Sequence, residues 1–113
     1  MTRLDAYTFH EGFAHLLSYQ ATEIDCVDWH TPELTEVAAA SRAKLRLALT
    51  ETDPDRQKQF LEEAVCGSYY EKFACMCGML YLADRWETQG IDGLKSAFAD
   101  YHGFAQRALS IRI

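Results

Sequence analysis

Residues 23–33 read Glu-Ile-Asp-Cys-Val-Asp-Trp-His-Thr-Pro-Glu: four acids, a cysteine, a histidine and a tryptophan in eleven positions, with no Lys or Arg. Two chemistries suit these residue types. Cys26, His30 and the carboxylates of Glu23, Asp25 and Asp28 carry the donor atoms that zinc takes. A structural zinc site, however, normally joins two close pairs such as two C-x-x-C units, and Cys26 with His30 has no second pair. No bound metal is therefore expected, and Cys26 and His30 are the candidates for a metal-binding or thiol-based sensor as the rival reading. The other chemistry is docking. Unbalanced carboxylates attract a basic protein over a distance and speed its association, and Trp29 in their midst is a large apolar anchor.

The remaining reactive residues are less suggestive. Cys75 and Cys77 form C-x-C, but two positions on a helix are about 200° apart, so the pair cannot share a metal. With Cys66 they read as small buried apolar fillers. Glu11 and His15 stand one helical turn apart, where neighbouring side chains could grip a cation, and read as a solvent-exposed pair. His10 and His15 diverge by about 140°, which excludes the H-E-x-x-H arrangement. His102, beside Tyr101, reads as a hydrogen-bonded structural histidine. No G-x-S-x-G elbow, G-x-G-x-x-G turn or Walker loop occurs, and no cysteine has basic neighbours to activate it. Glu62 and Glu63 read as a solvated helix face. Neither catalysis nor a cofactor is expected.

Charge sharpens the docking reading. The 113-residue chain has 17 acids, 11 bases and a net charge of −6. From Leu4 to Ser41 stand Asp5, Glu11, Glu23, Asp25, Asp28, Glu33 and Glu36 with no Lys or Arg, whereas acids and bases balance from Arg42 onward. Arg42, Lys44 and Arg46 are too few to neutralise a run of phosphates, so direct nucleic-acid binding is not expected. The longest apolar run, 73–83, is far shorter than the roughly 20 residues of a membrane-spanning helix and reads as a buried core helix. No secretory leader pattern is present, which points to a cytoplasmic protein with free thiols. Length and a hydrophobic fraction of 49% suit one domain over residues 1–113.

Helix signals must position these residues. Ala6, Phe9, Phe13, Leu16, Leu17 and Ile24 lie within about 100° of one another, predicting a first amphipathic helix from about Asp5 to Thr22. Thr31, Pro32 and Glu33 form an N-cap, a first helical position and an acidic first turn for a second helix. Its core face is Leu34, Val37, Ala38, Ser41, Leu45, Ala48 and Leu49, with Glu33 and Glu36 outward. Asp53 and Pro54 repeat the device for a helix burying Phe60, Leu61, Ala64 and Val65 and ending at Gly67. Ser68 and Glu71 have capping-box spacing and open a central helix over about 69–88, apolar on nearly all sides. Gly90 then suits a left-handed cap with Ile91 folding back on Trp86, and Asp92 caps a last helix with Leu94, Phe98, Tyr101, Ala105 and Leu109 inward. Nothing alternates with period two, so the fold class is all-α: a compact bundle of about five helices around a buried central helix. Gly12 and Gly78, costly inside helices, imply close crossings. Ala99 and Gly103 form a small-residue strip that a second helix could approach, from this chain or from a second copy in a homodimer.

In size and charge the chain resembles small acidic helical proteins of phages and mobile elements, among them anti-CRISPR inhibitors and DNA mimics. No motif carries the likeness, and no residue is transferred by it. It agrees with the expectation from charge: a protein-binding inhibitor or adaptor whose anionic N-terminal third, through Glu23, Asp25, Asp28, Trp29, Glu33 and Glu36, docks on a basic protein surface of the kind that holds nucleic acid.

Overall fold

A computed structural model describes residues 2–99 and 102–111. Five α-helices pack together, with no strand among the described residues: α1 (Thr2–Ser18), α2 (Pro32–Thr50), α3 (Pro54–Val65), α4 (Phe73–Ala99) and α5 (Phe104–Ala108). The Cα radius of gyration, 13.1 Å, is that of a compact chain of about this length, near ~13 Å.

The apolar run at the start of α4 sets the architecture. Every residue of 73–84 is buried, and α1, α2, α3 and α5 all pack against α4. A helix buried on all sides needs neighbours that cover each face, and α1 covers the largest share. The two helices meet at glycines: a Cβ on Gly12 would lie 2.6 Å from the Gly78 carbonyl carbon, and one on Gly78 would overlap the Thr8 carbonyl oxygen. The buried stripe of α1 is accordingly Leu4, Thr8, Gly12 and Leu16. Phe9 and Phe13 sit at its margin, and Leu17, predicted inward, is 64% exposed. The close approach at Gly12 rotates the contact face away from the bulkiest side chains.

Other local expectations divide along physical lines. Thr31 caps α2, its side-chain oxygen accepting from the Leu34 N–H at 3.2 Å. Asp53 and Ser68 make no such bond, and 69–71 forms a 3-10 turn before α4 begins at Phe73. The chain breaks at Gly90, whose φ of 60° and ψ of −145° are open to glycine and strained for other residues. Helical structure resumes directly at 91, and Ile91 is 54% exposed. The predicted last helix is also broken. Gly103 adopts a left-handed conformation, and Asp5 accepts from the N–H groups of Gly103 (2.9 Å) and Ala105 (3.0 Å) at the start of α5. Ala99 and Gly103 are thus not one continuous helix face. Tyr101 lies outside the described residues, while Phe104, not predicted inward, is fully buried. Cys75 and Cys77 are buried on different sides, donating weakly to the carbonyls of Ala64 and Ala108, whereas Cys66 is exposed at the end of α3 rather than buried.

Candidate functional site

The acidic connection between α1 and α2 takes its shape from one aromatic residue. α1 stops at Ser18, and Gln20 and Ala21 both take positive φ, an uncommon conformation for residues with a Cβ. Two short 3-10 turns, Tyr19–Ala21 and Ile24–Cys26, make up this part of the connection. Trp29 then points inward, 1% exposed, with its indole N–H donating to the Ile24 carbonyl at 3.3 Å and its ring 5.2 Å from that of Tyr19. Tyr19 in turn shares a 2.8 Å hydrogen bond with the Tyr70 hydroxyl. Trp29 is therefore a core residue that pins the connection, not the exposed anchor expected of it. A buried tryptophan in a charged stretch carries no sequence signal that separates it from an exposed one.

With Trp29 inward, the acids face out. Glu23, Asp25, Asp28, Glu33 and Glu36 are all exposed. Among the described residues none of them pairs with a Lys or Arg; Lys44 and Arg56 pair instead with Glu63 and Glu51. Asp28 turns its carboxylate on the His30 N–H at 2.9 Å, holding the loop entering α2. Glu33 lies in the first turn of α2, where the helix dipole favours an anion.

Residues 86 and 87 of α4 join this surface. The Trp86 indole N–H donates to Asp25 Oδ1 at 2.8 Å, and His30 Nε2 meets both Glu87 oxygens at 2.8 and 3.1 Å. Neither contact was legible in sequence, because the partners stand about sixty positions apart. A groove of about 440 Å³ opens here, lined by Ile24, Asp25, Val27, Trp86, Glu87 and Gly90 among others. Val27 also borders a second groove of about 180 Å³ whose lining includes Cys26, Asp28 and Glu33. Asp25 and Glu87 thus line one groove and Asp28 and Glu33 the other, with Val27 shared between the two, while Glu23 and Glu36 line neither. Another groove, of about 420 Å³, lies between α2 and α3, but its Lys44 and Glu63 are paired across 3.4 Å and its floor is largely apolar.

A group of residue types that could ligate a metal lies apart from Cys26 and His30 and includes the Glu11–His15 pair singled out in the sequence. Cys26 is exposed and His30 is turned to Glu87. Among the described residues, ligand atoms of Glu11, His15 and Cys75 lie within 4.8 Å of one another. Burial pushes the Cys75 thiol up to about 11 and that of Cys77 up to about 12. Comparisons with protein-family models, with curated proteins and with solved structures find no match to this chain.

Proposed function

We propose that the protein works by binding a basic segment of another protein on its acidic connection, as an inhibitor or adaptor rather than a catalyst. The observation that carries this reading is that the exposed carboxylates Asp25, Asp28 and Glu33, with Glu87, line two grooves that share Val27 and have no Lys or Arg partner among the described residues. Each carboxylate accepts up to about four hydrogen bonds, so Asp25 and Glu87 keep acceptor capacity beyond Trp86 and His30. An arginine or lysine entering the larger groove meets carboxylates to pair with and the Trp86 ring to lie against, combining charge-assisted hydrogen bonds with a cation–π contact. Trp86 thereby takes the anchoring part that Trp29, being buried, leaves open. A basic surface that ordinarily holds nucleic acid has this chemistry, and an anti-defence inhibitor of phage type is the concrete form of the reading.

The test uses a fluorescent arginine-rich peptide as probe. Binding is expected at 0.1 M salt, where charges act over about 10 Å, and should weaken toward 1 M, where they act over about 3 Å. Asp25→Lys, Asp28→Lys and Glu33→Lys together should abolish it. The same charge change at Asp53, Asp55 and Glu62, all exposed on or beside α3, should leave it largely intact. Equal loss in both triple variants would reduce the effect to net charge and sink the site.

A further inference from the structure

We infer that Glu11, His15 and Cys75 form a site for a divalent zinc-class ion where α1 crosses α4. One imidazole nitrogen, one thiolate sulfur and one carboxylate oxygen are a donor set that zinc accepts, with the fourth tetrahedral position left for water or an incoming ligand. The fold assembles them for a reason visible in the backbone. Gly12 lies between Glu11 and His15 on α1, and Gly78 lies one turn beyond Cys75 on α4. Their contact, too tight for a Cβ, draws Cys75 to the two side chains of α1. The three ligand atoms lie within 4.8 Å of one another. In a tetrahedral zinc site with bonds of about 2.0–2.3 Å they would stand about 3.5 Å apart. The difference to be closed is at most a little over an ångström.

His15 has one ring nitrogen left for a metal, and Lys72 occupies it in this structure. His15 Nδ1 lies 2.6 Å from the Glu11 backbone carbonyl, which can only accept, so Nδ1 carries the proton. Metal-bound histidines are commonly oriented by such a bond from their other nitrogen. Nε2 is then left with its lone pair, and it receives the Lys72 ammonium at 3.2 Å. Lys72 also lies 5.0 Å from the Tyr69 ring centroid, which helps hold it there. A cation thus already stands at the lone pair that a metal would take. Cys75 is the buried member, with only a 3.6 Å contact to the Ala64 carbonyl to satisfy its S–H. On binding, the thiol gives its proton to solvent and the sulfur lone pair bonds the metal, with no change of oxidation state; one proton is released per ion bound.

Cobalt(II) reports on this site because thiolate coordination produces a sulfur-to-metal charge-transfer band. The test uses the full chain with Cys26→Ser and Cys66→Ser, which removes the exposed thiols. One equivalent of cobalt should bind with that band, and zinc should displace it. Cys75→Ser should lose the band. So should His15→Gln, which changes a side chain only partly buried and so preserves the fold if Cys75→Ser does not. Lys72→Met should bind cobalt at least about 10-fold more tightly, because the like charge that competes for Nε2 is gone; a lysine with a purely structural part would not produce that gain. Absence of a charge-transfer band, or its persistence in either ligand variant, overturns the assignment.

Discussion

Gly12 and Gly78 meet backbone to backbone where α1 crosses α4, with no room for a Cβ on either. Alanine is the better helix former by up to about 1 kcal/mol. Here that gain is outweighed, since a Cβ on Gly78 would overlap the Thr8 carbonyl oxygen, a backbone atom that cannot swing away. Gly78→Ala should destabilise the protein by about 1–3 kcal/mol, the usual cost of overpacking, or more. Urea unfolding checks it: the midpoint should fall with the slope unchanged. A neutral or stabilising result would mean that the helices do not cross so closely.

The Tyr19 hydroxyl carries a pH dependence. Burial pushes its pKa above the ordinary 10.0, the hydrogen bond with Tyr70 adds to the shift, and the nearby negative charge of Glu33 contributes further. The folded state therefore holds this proton more tightly than the unfolded state. The stabilisation is fully present below pH 10 and is lost as pH rises from there toward the folded value. Above pH 10 stability should fall by up to about 1.4 kcal/mol per pH unit from this group, with Tyr69, also raised by burial, adding to the slope. Tyr19→Phe should start lower, having lost the bond to Tyr70, and decline less steeply. Urea midpoints measured on both proteins at about pH 9 and about pH 11 test it; equal slopes would show that Tyr19 does not ionise on unfolding.

Legibility in the sequence followed the range of the forces involved. The all-α class, the Thr31–Pro32 start of α2, its buried face and the enclosed helix at 73–84 follow from local spacing and from an apolar run that water would not tolerate. The two glycines of the crossing were legible for the same reason, because a helix interior carries glycine at a cost. Capping was only partly legible. Thr31 bonds its helix, whereas Asp53 and Ser68, with equally suitable side chains, do not. Asp5, one of the acids in the anionic third, is instead taken up by the start of α5 almost a hundred residues away. The exposure of the acidic connection was foreseeable from charge. The inward turn of Trp29, the placement of Trp86 and Glu87 beside it, and Cys75 at Glu11 and His15 all depend on tertiary pairing that no local pattern encodes.

Thr8 offers the last check on the same crossing. It is fully buried on α1, and its hydroxyl finds no hydrogen-bond partner among the described residues. A hydroxyl stripped of water without a partner costs about 1–3 kcal/mol. Valine has the same branched shape without that hydroxyl, so a substitution that is usually unfavourable in cores should here be favourable. Thr8→Val is expected to stabilise by about 1 kcal/mol or more, while Thr8→Ser, which keeps the hydroxyl and removes a buried methyl, should destabilise by about 1 kcal/mol. Thermal and urea unfolding of the two variants distinguish the cases. If Thr8→Val is the destabilised one, the hydroxyl is bonded in solution, and water or a shifted carbonyl must reach the centre of the crossing.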